Sequence, residues 1–146
     1  MDIFQRLEDD HGKQRGLAAG LLDTSGDSLE RRRLFRALKR EVEAHAVAEE
    51  RTFYAALIAL ERGQPKARHS VCEHKGAADL IAELDELDMA SGAWLQKFKA
   101  LKQCLEHHLD EEEAEVFPLA RRCFDAREAR RLGDAFADIK QGVAVA

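Results

Sequence analysis

The sequence predicts an all-α protein, an up-down-up-down four-helix bundle followed by a short C-terminal fifth helix. Three observations predict it. Apolar residues recur at spacings of three and four through four long segments. The connections between those segments are short, which makes successive helices antiparallel neighbours. The composition is that of a helical protein: 45% hydrophobic and 35% charged, rich in Ala, Leu, Glu, Lys and Arg, with two prolines and one tyrosine.

The first helix is expected from about Asp2 to Leu22, with the seam Phe4, Leu7, His11, Gln14, Ala18 and Leu21. The run Asp-Thr-Ser-Gly-Asp around Gly26 ends it. Asp27 and Glu30 have the spacing of a capping box, which would open the second helix. That helix is expected to reach about Glu61, with the seam Phe35, Leu38, Val42, His45, Glu49, Thr52, Ala56 and Leu60. Gly63 and Pro65 then stop and restart the chain. The third helix covers about Pro65 to Met89, with Val71, His74, Ala78, Ile81 and Leu84 on its seam, and Ser91 and Gly92 mark a tight turn. The fourth carries Trp94, Phe98, Leu101, Leu105, His108, Glu112, Glu115 and Leu119 on one seam. Pro118 lacks a backbone donor, so a kink or the helix end is expected there. Asp125 and Glu128 form another capping-box pair, opening the short fifth helix to about Lys140, with a frayed tail beyond it.

With 146 residues the chain reads as a single domain, the bundle at about 1–122 and the last helix at about 126–140. A formal net charge of -5 argues against general nucleic-acid binding, which needs a basic face. No apolar run approaches the roughly 20 residues of a membrane span, and the first residues have no signal-peptide core. Cys72, Cys104 and Cys123 are odd in number and lack Cys-x-x-Cys spacing. No disulfide framework is expected, and a cytoplasmic location is.

The chemistry lies in the histidines. His45 and His108 each stand four residues ahead of a glutamate, Glu49 and Glu112, on an apolar seam. Residues four apart share a helix face, so imidazole and carboxylate can reach one ion beside the helix. His11 and His74 add an inward imidazole from each of the other two helices. Buried carboxylates need paired charges or metal. Four His and two Glu would give each of two ions about two imidazoles and a share in both carboxylates, with positions left for solvent or a small ligand. Such a mixed N/O site points to di-iron rather than a closed structural zinc site.

The His-x-x-x-Glu spacing alone does not discriminate, because His69 with Glu73 and His107 with Glu111 match it too, making four of the six histidines. Phase discriminates. His107 lies about 100° around the helix from His108, and His69 about 140° from His74. His107 stays open as the alternative to His108, and His69 reads as a solvated residue near a helix start. At roughly 1.5 Å rise per residue His74 and His108 fall in nearly the same layer. His45 and His74 match less well if the second helix reaches Glu61. Cys72 and Cys104 read as small packing residues, and Gln14 as a neighbour of the site or a boundary residue. Tyr54 is placed to pack beside the site or donate a hydrogen bond to it.

The segments EDDHGKQR, EAHAVAEERTFYAAL, CEHKGAADLIAEL and EHHLDEEEAEVFPLA resemble the successive motifs of the hemerythrin-like HHE cation-binding domain, across about residues 1–125. The resemblance implies a non-haem di-iron centre inside the bundle, with carboxylate and oxo or hydroxo bridges. It implies the ligands His11, His45, Glu49, His74, His108 and Glu112, the glutamates bridging. Ala55 stands where relatives often have proline, which should affect helix geometry more than ligation. His74 is followed by Ala78 rather than by a second histidine, which resembles the broader bacterial branch with two imidazoles per iron. The implied function is binding of O₂, NO or a peroxide-level oxidant for sensing, storage or stress protection. The alternatives are a di-iron peroxidase, oxidase or iron-centre repair factor, and a helical interaction module with a structural metal. A homodimer stays open.

Overall fold

The computed structural model describes residues 1–145. All of its regular structure is helical among those residues. Helix α1 spans Ile3–Leu22 and α2 spans Leu29–Glu49, running into a π-helical turn, Glu50–Tyr54, and the short α3, Ala55–Ile58. A 3₁₀ turn at Glu61–Gly63 leads to α4, Gln64–Glu86. Helix α5 spans Gly92–Glu111, continues through a second π-helical turn, Glu112–Val116, and ends as α6, Phe117–Cys123. Helix α7 spans Ala126–Val145, so it carries on past the expected end near Lys140 and packs against α1 and α2.

Local chemistry sets the starts. Asp2 caps α1 in a full capping box with Gln5. The cap of α2 is Ser28, not Asp27: its hydroxyl accepts from the Arg31 N–H at 3.1 Å, and Asp27 instead pairs with the Arg32 guanidinium. Asp125 caps α7 as expected, accepting from the Glu128 N–H at 2.8 Å. Gly26, with φ of 62°, turns the chain between α1 and α2 in the left-handed region that favours glycine. Buried Arg31 ties together the two loops at one end of the bundle. It donates to the Thr24 hydroxyl at 2.9 Å and to the carbonyls of Thr24 and Met89 at 2.8 Å, and lies 4.9 Å over the Trp94 ring.

The two π turns change which residues face inward. Each contains an i→i+5 bond, Ala55 N–H to Glu50 O and Phe117 N–H to Glu112 O. The extra residue in each turn rotates the next stretch of helix by about 100°. The expected seam positions Ala56 and Leu60 therefore give way to Phe53, Tyr54 and Leu57, with Leu60 exposed. Glu115 and Leu119 likewise give way to Val116, Phe117 and Ala120. Pro118 sits in the first turn of α6, where its missing donor is tolerated. The same break occurs after Glu49 with alanine at position 55, so proline is not required for it. The second helix consequently ends at Ile58 rather than Glu61. In α4 the buried seam is Ala67, Ser70, Ala77, Ile81 and Leu84, leaving Val71 and Ala78 outside.

The apolar core is in two parts. One end is built on Ile3, Leu7, Phe53, Leu57, Phe117 and Phe136. The other is built on Leu21, Leu38, Ile81, Leu84, Trp94 and Phe98. Between them runs a layer of buried polar side chains.

Candidate metal centre

That layer holds all six residues singled out from the sequence. His11, His45, Glu49, His108 and Glu112 are buried, and His74 is 9% exposed at the side chain. Their donor atoms fall into two sets. His11, His45, Glu49 and Glu112 form one, and His74, His108, Glu49 and Glu112 the other. In each set the atoms lie within 4.8 Å of one another. Both glutamates belong to both sets. Glu49 approaches His45 Nε2 at 3.4 Å with one oxygen and His74 Nε2 at 3.0 Å with the other. Glu112 approaches His11 Nε2 at 3.0 Å and His108 Nε2 at 3.5 Å in the same way. Each carboxylate therefore stands between the two halves of the layer.

The other nitrogen of every ring is held by a carboxylate. His11 Nδ1 meets Glu113 at 2.6 Å, His45 Nδ1 meets Asp10 at 2.8 Å, His74 Nδ1 meets Glu50 at 2.7 Å, and His108 Nδ1 meets Glu73 at 2.9 Å. A proton on Nδ1 satisfies these bonds, and in the neutral ring Nε2 is then a lone-pair donor aimed into the layer. The four carboxylates are sequence neighbours of the inward residues, each bonding a different helix's histidine. Asp10 and Glu73 precede His11 and His74; Glu50 and Glu113 follow Glu49 and Glu112. The chain thus repeats an acid-His pair followed by His-x-x-x-Glu-Glu. That doubling was the available signal for four supporting residues that seam phase, which looks only inward, did not single out.

Lys and Arg balance one half of the layer more than the other. Arg15 donates to Glu113 at 2.8 Å, and Lys140, from α7, donates to Asp10 and Glu41 at 2.7 Å. Phe117 stacks on His11 with centroids 5.6 Å apart, and Phe136 meets His45 edge-on at 5.6 Å.

Several atoms inside the layer lack partners. Nε2 of His45, His74 and His108 and both oxygens of Glu49 are buried without a hydrogen bond, although charged groups stand near them. Unpaired buried polar atoms cost free energy unless something satisfies them. Their charges are also perturbed. Burial opposes the charge on His45, but Glu49 and Asp10 outweigh it and hold its proton up to about 10. His74 is raised to about 9 against the same burial by Glu49 and Glu50. Burial would raise Glu49, yet His45 and His74 hold it well below the usual carboxylate range. Two imidazoles and two carboxylates per set, converging from separate helices, fit divalent first-row metal ions that accept mixed N and O donors.

Tyr54 points into the layer from the first π turn and donates its hydroxyl proton to Glu112. Burial, then the charges of Glu49 and Glu112, push its phenol well above the ordinary value, so it stays a donor. A cavity of about 20 Å³ adjoins the layer, lined by Gln14, His45, Glu73, His74, Cys104 and His108 among others. That is room for about one water-sized molecule.

The remaining sequence candidates lie outside. His107 is 69% exposed at its side chain and stands outside the layer, 3.1 Å from Glu111, so it is not brought in as the alternative to His108. His69 is exposed too, but it meets Glu73 and Glu111 rather than solvent alone. Cys72, Cys104 and Cys123 are free thiols.

Comparison with known proteins places this arrangement. No curated protein matches the chain. A solved structure, a hemerythrin HHE cation binding domain-containing protein from Mycobacterium kansasii, superposes with a TM-score of 0.88 at 23% identity, over 99% of this chain and 88% of that one. At that identity the likeness concerns the fold. The Hemerythrin HHE cation binding domain matches residues 2–120, from the cap of α1 into α6, and so spans every residue of the layer. The buried layer supplies histidine and glutamate donors that could hold metal, as a cation-binding domain requires, and the chain belongs to the hemerythrin HHE cation-binding family.

Proposed function

We propose that the protein holds two iron ions in this layer and binds O₂, NO or a related small oxidant there, for sensing, storage or stress protection. The observation that carries the proposal is the sharing of Glu49 and Glu112 between two donor sets. A carboxylate whose two oxygens approach imidazoles of different donor sets suits two neighbouring ions better than one. His11 and His45 would hold one iron, His74 and His108 the other. Two imidazoles and two carboxylate oxygens leave coordination positions open for a ligand.

Iron in such a site supplies Lewis acidity and a reversible electron. The chain supplies the rest. Asp10, Glu50, Glu73 and Glu113 fix the tautomer and orientation of the four rings and raise their basicity. The two apolar cores keep bulk water from the layer. Tyr54 holds a proton at Glu112 Oε2, so one of the two shared carboxylates carries a hydroxyl hydrogen bond that Glu49 lacks. The small cavity beside His45, His74 and His108 offers space next to the layer for about one small molecule.

Free cysteines fit a reducing compartment, and we place the protein in the cytoplasm. Among the described residues no helix is long and apolar enough to cross a membrane.

The test loads metal-free protein anaerobically with Fe(II), then exposes it separately to O₂ and NO while metal content and optical spectra are recorded. About two irons per chain and new absorption bands with either gas support the proposal. Tight uptake of a single zinc per chain, with no optical response after iron loading, would turn the reading to a structural metal in a helical interaction module.

A further inference from the structure

The two His-x-x-x-Glu pairs that face away from the buried layer meet each other on the surface. His69 and Glu73 lie on α4, and His107 and Glu111 on α5, the antiparallel neighbour. His69 Nε2 is 3.5 Å from Glu73 and 3.2 Å from Glu111. His107 Nε2 is 3.1 Å from Glu111 and 3.8 Å from Glu73. Both carboxylates are 17% exposed at the side chain, and both imidazoles are more than half exposed. Among the described residues neither glutamate pairs with a lysine or arginine, although cations are plentiful on this protein's surface. Donor atoms of His69, Glu73 and Glu111 lie within 4.8 Å of one another. A tetrahedral ion with bonds of about 2.1 Å holds its donors about 3.4 Å apart, so these three must draw together slightly, and His107, 3.1 Å from Glu111, stands beside them.

We propose that His69, Glu73, Glu111 and His107 form a second, surface site for a divalent transition-metal ion such as Zn(II) or Fe(II). Two imidazoles and two carboxylates suit these ions, and their exposure lets an ion arrive with its water. The site is joined to the buried layer through one residue. Glu73 Oε1 lies 2.9 Å from His108 Nδ1 and 3.5 Å from His69 Nε2, and its Oε2 lies 3.8 Å from His107 Nε2. Glu73 also lines the small cavity beside the buried imidazoles, together with Cys104. An ion at the surface would therefore stand one carboxylate from the buried centre and at the wall of its cavity. This site goes beyond the di-iron proposal and does not depend on how many ions the buried layer holds.

The test uses protein whose buried layer has been loaded with iron and desalted. Zn(II) is titrated calorimetrically into the wild type, the double variant His69→Ala/His107→Ala, and Glu111→Gln. Buried iron is counted in each. The wild type should take up one more zinc than the double variant, Glu111→Gln should bind it at least about tenfold more weakly, and iron content should be equal in all three. Equal zinc uptake and affinity in the wild type and the double variant would overturn the proposal. Loss of buried iron from the double variant would overturn the claim that the site is separate. A buried count below two irons would count against the di-iron proposal, yet the zinc difference between wild type and variant would still decide this one.

Discussion

Each buried imidazole divides its nitrogens between two jobs, an outward carboxylate on Nδ1 and the shared layer on Nε2. The glutamates divide their oxygens in a similar way, each between two helices. This division makes the ligand roles separable by mutation. On the di-iron proposal, Glu49→Ala or Glu112→Ala should prevent formation of a magnetically coupled iron pair while leaving most of the helix content, because the apolar cores pack the helices. Mössbauer spectra and circular dichroism of the iron-loaded variants check this, and two coupled irons in both variants would exclude a bridging role. Asp10→Ala should keep the same ligands but lower metal affinity by about 10- to 100-fold, since the orientation and basicity of His45 depend on it. Competition with a chelator of known affinity measures that loss.

The histidines also set a pH response in the metal-free protein. His45 and His74 keep their protons in the fold up to about 10 and about 9, against the ordinary 6.5. Their contribution to stability is complete below 6.5 and is lost as pH rises through 9 and 10, because the folded state binds more protons across that window. Metal must displace those same protons, so iron uptake at neutral pH should release protons and tighten as pH rises. Urea titrations of metal-free protein between neutral and alkaline pH, and proton release on loading in weak buffer, test the two signs. Stability that rises toward pH 10 would contradict the assignment.

At the scale of elements, the π turns and α7 shape the site. Each π turn begins at or directly after a candidate bridging glutamate and rotates the following turn, bringing Tyr54 into the layer on one side and Phe117 against His11 on the other. Helix α7 covers the His45 side with Phe136 and sends Lys140 to Asp10. Its seat depends on Gly133. A Cβ there would lie 2.6 Å from the Met1 carbonyl oxygen and 2.7 Å from the Asp2 carbonyl carbon, both rigid backbone. Gly133→Ala should therefore push α7 from the start of α1 and destabilise the protein by about 1–3 kcal/mol. Denaturant unfolding measures the cost. An unchanged midpoint would mean that the α1 start yields freely.

At the scale of the whole molecule, a polar layer separates two apolar cores, each of which packs side chains from several helices. Removing metal should lower the thermal midpoint, since metal binds only the folded layer, while leaving a cooperative, helical protein. A protein that unfolds outright when metal is chelated would behave as a structural metal module instead. Calorimetry with and without chelator separates the outcomes.

The bundle and the six inward residues were legible because both rest on local periodicity. Residues at spacings of three and four share a helix face whatever the helix packs against. Phase also separated His108 from His107 one residue away. Phase could not foresee its own interruption. The π turns at Glu50–Tyr54 and Glu112–Val116 moved Leu60 and Glu115 out and drew Tyr54 and Val116 in, since an i→i+5 bond is selected by packing rather than by residue type. The sequence by itself determined which residues could supply imidazole and carboxylate to a common interior, and hence the metal chemistry open to this chain. Tertiary structure alone decided that Asp10, Glu50, Glu73 and Glu113 grip the rings of other helices, and that two outward motifs meet across α4 and α5. Those contacts join residues far apart in sequence, and only the packing of one helix against another gives them a distance.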